Sequence, residues 1–229
     1  MKITIKPEVF KGFHNDLKLA LIFVTELDNK TKLDESKHLL KEVENLERLT
    51  FHKNKKEFHH MISPWNLAKL RFGKKAHHYS TSLENLLKLV LKGKTVSANN
   101  VLTNVMRYIA LRYLIPFGAD DFQVITGDLV FDIVKSNARK GILGNLKKGD
   151  LYYADQKSVL GTKLDHWKNQ RTELNLKSGS ALVHIEALPP ITKKQLKQIV
   201  KEAASIIESF CGAKTKVFIL DKKTRTITL

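Results

Sequence analysis

The sequence predicts an α+β protein in which helices flank a mixed sheet. Helical patterns predominate up to about residue 114, and short apolar runs of strand length follow them. Apolar residues make up 42% of the chain and charged residues 28%, which is typical of a globular protein and excludes a disordered one. The 229 residues include one cysteine, so we expect a core that holds without disulfides.

The N-terminal half of the chain is predicted to contain two strands and three helices. Ile3 and Ile5 alternate with polar residues, as in a strand with one buried face. The apolar run from Leu17 to Val24 predicts a strand buried on both faces. The helices are predicted over 34–49, from Ser82 to Gly93, and from Asn99 to Leu114 before Pro116.

The C-terminal half is predicted to hold most of the sheet. Gly, Asn, Asp and Lys separate its short apolar runs, which is typical of strands joined by turns. The predicted strands are Val124–Ile125, Leu129–Val134, Leu151–Ala154, Val159–Leu160, Ala181–Ala187, Val217–Leu220 and Thr224–Leu229. An amphipathic helix is expected from Thr192 to Gly212. Since no linker-like tract interrupts the sequence, we expect one domain over residues 1–229.

The formal net charge of +17 is concentrated in one part of the chain. Residues 1–50 are balanced, whereas residues 51–100 hold ten basic and two acidic side chains. A basic segment interleaved with aromatic residues suits a polyanion, because cations neutralise phosphates and aromatic rings stack on bases. The predicted RNA-binding residues are Lys53, Lys55, Lys56, Arg71, Lys74 and Lys75. The alternative is a solvated, lysine-rich surface.

Several kinds of chemistry are excluded by the motifs that the sequence lacks. It has no phosphate-binding or dinucleotide-binding glycine motif and no nucleophile elbow, so we expect no cofactor. The adjacent pairs His59–His60 and His77–His78 have poor spacing for metal ligands, so we expect no metal site. Cys211 ends an apolar helical face and is expected in the core. With no membrane-length apolar run and no signal-peptide pattern, we expect a cytoplasmic protein without a membrane partner.

The most informative segment is the helix from Asn99 and the residues after it. Asn100, Asn104 and Arg107 recur at helical spacing and therefore share a polar face. The segment 115–121 follows as a proline-glycine turn, in which Gly118 would let a ligand approach the backbone. The alternative is a solvated helix face followed by an ordinary tight turn.

Three stretches of the chain resemble the B3/B4 module, the editing domain of the phenylalanyl-tRNA synthetase β subunit, and its free-standing relatives. The first runs from Tyr79 to Lys94, with its tyrosine, serine, glutamate and leucine-rich segment ending in Lys-Gly-Lys. The second runs from Asn100 through Ile115-Pro116-Phe117-Gly118-Ala119-Asp120-Asp121 to Gly127-Asp128. The third holds Gly149–Asp155, Arg171-Thr172, Ser178 and Ala187–Pro190. The match makes residues 79–229 the family-like core, preceded by strands, helices and the basic segment over 1–78.

The resemblance implies a B3/B4 fold with a pocket beside a helix N-terminus and the proline-glycine turn. It implies a trans-acting editing factor that hydrolyses mischarged aminoacyl-tRNA, with tRNA as partner and without a metal. The implied substrate-binding residues are Asn100, Asn104, Arg107, Gly118, Ala119 and Asp121. The candidate catalytic residues are His166 as general base, with Arg171 and Thr172.

The chain also departs from the family pattern. Asn104 and Arg107 stand where the family usually has Asp and Asn, and Asp132 stands where it has a strand arginine. Only part of the family's Trp/Arg-rich pattern is kept over residues 163–172. These changes keep a second hypothesis open, a non-catalytic module that binds tRNA, another RNA or an amino acid in an altered pocket.

Overall fold

Two β-sheets and six helices make up the described part of the chain, which confirms the predicted α+β class. The computed structural model describes residues 1–51, 55–72, 79–137, 143, 146–163 and 165–229, and only the backbone for residues 55–61 and 72. None of the helices in these ranges is both long enough and apolar enough to cross a membrane.

The first sheet is mixed, as predicted, and has six strands. Its order is β10 (Thr226–Thr228), β1 (Lys2–Ile5), β4 (Leu129–Ile133), β5 (Leu151–Ala154), β6 (Val159–Thr162) and β7 (Trp167–Lys168). Strands β1 and β4 are parallel, and all other neighbours are antiparallel.

The second sheet is antiparallel and has four strands. Its order is β3 (Phe117–Asp121), β8 (Ser180–Ala187), β2 (Lys18–Thr25) and β9 (Lys214–Leu220). Strands β2 and β8 are buried along most of their length, which explains their continuous apolar runs. Strand β3 lies at one edge, so one side of its backbone is open to the site described below.

The helices are α1 (Pro7–Gly12), α2 (Leu33–Phe51), α3 (Lys55–Lys69), α4 (Ser82–Leu91), α5 (Val101–Tyr113) and α6 (Lys193–Cys211). The side chains of Thr81 and Thr192 cap α4 and α6, each through a reciprocal capping box. A buried ion pair joins α3 to α4, with Lys69 Nζ 2.6 Å from Glu84 Oε2. Helices α2, α4 and α5 share a second core of leucine and valine side chains beside the main one.

Four elements were not predicted from the sequence, namely α1, α3, β3 and β7. The prediction of a strand at Val124–Ile125 was wrong, because Phe122–Val124 forms a 3-10 turn that the Asp121 carboxylate caps. The segment expected to be a turn contains β3, whose sequence Phe-Gly-Ala-Asp-Asp is a poor strand former. Its pairing with β8 makes it a strand, so tertiary contacts override local preference.

The core confirms the expectation for Cys211, which is fully buried in the main apolar cluster. Burial raises the pKa of its thiol to about 12, so the thiol is protonated at neutral pH. Cys211 is therefore a small core residue at the end of α6.

Glu47 on α2 is expected to make the stability of the fold depend on pH. Its Oε2 is buried without a hydrogen-bond partner in the described ranges, and burial raises its pKa from 4.5 to about 7. The folded state therefore keeps a proton that the unfolded state has lost, and the free energy of unfolding falls as pH rises from about 4.5 to about 7.

We expect Glu47→Gln to remove this slope and to raise the free energy of unfolding at pH 8 by about 1–2 kcal/mol. Urea unfolding from pH 4.5 to 8 measures the slope, and Glu42→Gln, at an exposed position of α2, is the control. Equal slopes in the wild type and Glu47→Gln would contradict the assignment.

Candidate functional site

A cleft of about 460 Å³ lies between the start of α5, the open edge of β3 and the segment that follows β7. Four of the six predicted substrate-binding residues line it: Asn100, Arg107, Gly118 and Ala119. Lys168 and Glu173 also line it and were not among the predicted residues. The cleft therefore brings together two cations, one carboxylate and the edge of a sheet.

The N-terminus of α5 reaches the cleft through side chains. Asn100 caps the helix, its Oδ1 accepting from Thr103 N at 2.9 Å. Asn29, from the segment before α2, accepts from Val101 N through its backbone oxygen and from Leu102 N through its side chain. The first backbone N–H groups of the helix are thus engaged within the protein. At this end of the helix, the polar side chains in the cleft wall are those of Asn100 and Thr103.

Asn104 supports the cleft from behind. Its side chain is fully buried, and its Oδ1 accepts from Ala98 N at 2.6 Å. Its Nδ2 donates to the Ala98 carbonyl and to Ser36 Oγ. Asn104 therefore fixes the segment before α5, and it does not line the cleft with Asn100 and Arg107.

Strand β3 presents backbone groups to the cleft. Ser82 Oγ donates to the Phe117 carbonyl at 3.2 Å, so the backbone of Phe117 faces the open edge. In an antiparallel edge strand alternate residues face the same way, so the backbone of Ala119 also faces this edge. The Ala119 N–H and C=O are therefore positioned to bind a ligand in the cleft.

Gly118 is required by a histidine ring rather than by a turn. It pairs across the sheet with His184, and a Cβ atom at Gly118 would lie only 2.1 Å from His184 Nε2. Gly161 makes the same room for Tyr153, since a Cβ atom there would lie only 2.2 Å from Tyr153 Cε1. The two glycines let both rings lie between the sheets, 5.0 Å apart at their centroids.

Gly118→Ala is expected to lower the free energy of unfolding by about 1–3 kcal/mol, because the added methyl group displaces the His184 ring. The matched control is Gly179→Ala, where the nearest atom to the new methyl group lies at 3.8 Å. Urea unfolding measures both. Equal stability of the two variants would contradict the tight fit at Gly118.

A buried polar cluster lies between the two sheets, directly behind the cleft. Asp120 is fully buried and accepts from Thr172 Oγ1 and, at 3.0 Å, from Tyr153 Oη. Lys168 Nζ, whose side chain is 32% exposed, is 3.2 Å from Asp120 Oδ1. Asp120 thus holds the ammonium of a cleft residue in place from inside the protein.

Hydrogen bonds link the ionisable side chains of the cluster into one chain from Asp120 to Glu186. The Tyr153 hydroxyl donates a hydrogen bond to Asp120, so its oxygen accepts from His184 Nε2–H at 3.2 Å. His184 Nδ1 is 2.8 Å from Glu186 Oε1, where an ionised carboxylate requires a second N–H. Burial alone would lower the pKa of His184, but Glu186 and Asp120 outweigh it and raise the pKa. Both ring nitrogens therefore face acceptors, an arrangement that favours the charged imidazolium.

A third carboxyl group, that of Asp165, completes this cluster. Burial, and then the neighbouring Glu186, raise the pKa of Asp165 to about 7. Its Oδ2 accepts from Ser82 N at 2.9 Å, whereas its Oδ1 and Glu186 Oε2 are buried without hydrogen-bond partners in the described ranges. The cluster therefore shares its protons among several groups.

The three predicted catalytic residues lie outside the cleft lining. Thr172 is fully buried, and its hydroxyl donates a hydrogen bond to Asp120. The guanidinium of Arg171 is bonded to Asp155, Ser158 Oγ and the Val124 carbonyl, and it fixes the turn after β3. His166 is exposed and packs against Tyr79, with its Nδ1 3.3 Å from the Ser80 carbonyl.

The remaining predicted residues are Asp121 and the six RNA-binding residues. Asp121 is buried behind the strand edge, where it accepts from Gln123 N and Ser178 Oγ, and it does not line the cleft. Arg71 is exposed in the 3-10 turn after α3. The side chains of Lys53, Lys55, Lys56, Lys74 and Lys75 lie outside the described residues.

Within the described ranges, no group of three or more His, Cys, Asp or Glu side chains is arranged to hold a metal ion. No protein-family model matches the chain, and neither does any curated protein. The geometry of the cleft is therefore the main guide to function.

Sequence reasoning missed Lys168, Asp120 and His184 as parts of the site. One signal was available, because His184 and Glu186 are polar residues at i and i+2 within the otherwise apolar run of β8. Two such residues on one face of a buried strand need partners, and therefore indicate a buried polar cluster.

Proposed function

We propose that this protein is a trans-acting aminoacyl-tRNA editing factor that hydrolyses the ester of a mischarged tRNA in the cleft between α5 and β3. One observation carries the proposal: Asn100, Arg107, Gly118 and Ala119 line one cleft together with a lysine that a buried carboxylate holds in position. The B3/B4 resemblance of residues 79–229 supports the same reading.

The cleft offers the parts that ester hydrolysis requires. Lys168 and the Ala119 N–H would stabilise the negative charge that develops on the ester carbonyl oxygen. Glu173, the one carboxylate among the described lining residues, would accept a proton from the attacking water. Water attacks the carbonyl carbon, the bond from that carbon to the ribose oxygen breaks, and the ribose oxygen takes up a proton. The products are a free amino acid and a tRNA with a free terminal hydroxyl.

The charge distribution supports tRNA as the partner. The net charge is +17, and residues 51–100 carry +8 of it. These residues come before α5 in the chain, so a basic segment for phosphates is separate in sequence from most of the cleft lining. Phosphate contacts give affinity without sequence information, and the cleft would examine the amino acid.

A deacylation assay tests this proposal. The full chain is incubated with a panel of tRNAs, each esterified with a different radiolabelled amino acid, and loss of the ester is followed over time. We expect at least one ester to be hydrolysed faster than in buffer. Rates equal to the buffer rate for the whole panel would refute the enzymatic function.

A second candidate function is binding without hydrolysis, and one observation favours it. The described lining contains no histidine or cysteine, and Lys168 already forms an ion pair with Asp120. This function predicts tRNA binding whose affinity falls with salt, by a log–log slope of about 0.7–0.9 for each neutralised phosphate, with no ester turnover. A flat salt dependence would contradict it.

A further inference from the structure

A second cavity, of about 440 Å³, lies against the first and shares one wall with it. Leu86 and Leu89 of α4 line it together with Val96, so much of its surface is apolar. Thr103, Arg107 and Phe117 line both cavities. Arg107 therefore lies at the junction of two compartments, of which the second has the more apolar lining.

The guanidinium of Arg107 is bonded to a backbone carbonyl rather than to a carboxylate. Its Nη1 donates to the Val96 carbonyl at 2.6 Å, and it has no carboxylate partner in the described part of the chain. Burial lowers its pKa, which means that the charged form is partly stripped of water without a compensating anion. A guanidinium has five N–H donors, so one carbonyl leaves most of its capacity for a ligand.

The position of Arg107 is fixed by its surroundings. Val96 N donates to Glu44 Oε1 at 2.8 Å, so the segment that carries the acceptor of Arg107 is attached to α2. The other oxygen of Glu44 accepts a hydrogen bond from Arg48, and this ion pair neutralises the charge of the carboxylate. Asn104 fixes Ala98 two residues further on. A cation held this firmly loses little entropy on binding an anion.

We propose that Arg107 binds the oxyanion of a small ligand, either a carboxylate or a phosphate monoester, whose uncharged organic group occupies the second cavity. The planar guanidinium matches both oxyanions through paired N–H donors. The apolar surface formed by Leu86, Leu89 and Phe117 suits an uncharged organic group, and the cavity is large enough for a leucine or phenyl side chain. This site does not require ester hydrolysis and can exist in either of the functions proposed above.

Calorimetric titration of the full chain tests the site with three probes. N-acetylleucine offers a carboxylate and an apolar group, and phenyl phosphate offers a phosphate monoester and an apolar group. N-acetylleucinamide has the shape of the first probe without its charge. We expect one or both anions to bind and the amide to bind at least about tenfold more weakly. If only one of the two anions binds, the result shows whether the site takes a carboxylate or a phosphate monoester.

Arg107→Gln is expected to weaken anion binding about tenfold or more, because charge-assisted hydrogen bonds are lost. Arg112→Gln is the matched control, since Arg112 lies on the same helix but is exposed and paired with Glu202. Arg107→Lys keeps the charge and tests the fork geometry even if the glutamine variant does not fold. Anion binding that is absent in the wild type, or unchanged in both Arg107 variants, overturns the proposal, whatever the outcome of the deacylation assay.

Discussion

Asp120→Ala is expected to lower the free energy of unfolding by about 3–5 kcal/mol. The carboxylate is fully buried, accepts hydrogen bonds from Tyr153 and Thr172, and forms an ion pair with Lys168. Its removal leaves the buried Tyr153 hydroxyl without its acceptor and Thr172 with only the Asn169 carbonyl at 3.4 Å. It also removes one of the carboxylates that raise the pKa of His184. Breaking a buried, hydrogen-bonded charge network is among the most destabilising single changes in a protein.

Thermal and urea unfolding measure this effect, which corresponds to a fall in Tm of about 10 °C for a chain of this size. Asp16→Ala, at an exposed position, is the control and is expected to change the stability by less than about 0.5 kcal/mol. If Asp120→Ala is as stable as this control, the cluster between the sheets does not stabilise the fold as described.

Lys168→Met is expected to reduce the rate of ester hydrolysis about 10²–10³-fold, because it removes a donor for the developing oxyanion. Methionine keeps much of the apolar stem of lysine, so the packing at the cleft wall is largely retained. The effect on activity should exceed the effect on stability, since the Lys168 side chain is 32% exposed. This prediction rests on the proposed editing function.

Single-turnover deacylation of the best substrate of the tRNA panel measures this loss. Lys157→Met is the control, because Lys157 is exposed in the turn between β5 and β6 and does not line the cleft. Unfolding of Lys168→Met is measured alongside, so that loss of structure is not mistaken for loss of catalysis. A rate within about threefold of the wild type would exclude Lys168 as the oxyanion donor.

The elements with a clear apolar pattern, either a continuous run or one helical face, were predictable from the sequence. Strands β2 and β8 and helix α6 begin and end within about two residues of their expected bounds. Their burial follows directly from their pattern, since each has a continuous apolar run or a clear apolar face. Strand β3 was not predictable in this way, because its pairing with β8 and not its own composition makes it extended.

The candidate site was only partly predictable for the same reason. Asn100 and Arg107 were identified from their helical spacing, Gly118 from the expected proline-glycine turn, and all three line the cleft. Arg171 has the right chemistry for a donor, but its guanidinium is bonded to Asp155, which sequence spacing does not reveal. Whether a polar residue faces a ligand or a partner within the protein depends on tertiary contacts.

Gly118 lines the cleft, but the structure explains the glycine at this position by a different physical reason from the expected one. The sequence suggested a turn that lets a ligand approach the backbone. In the structure the glycine lies in a strand and makes room for the His184 ring, while it also lines the cleft. The cleft and the buried cluster therefore share this residue, and Lys168 and Asp120 join them a second time.

We propose that the cleft between α5 and β3 holds the aminoacyl end of a tRNA. The most direct test follows backbone amide NMR shifts of the full chain during titration with amide-linked aminoacyl-adenosines, which resemble this end but cannot be hydrolysed as esters. The probes carry small, branched and aromatic side chains in turn. We expect the largest shifts at Thr103, Ala119 and Lys168, which line the cleft. Shifts confined to other surfaces, or none with any probe at millimolar concentration, would contradict the claim.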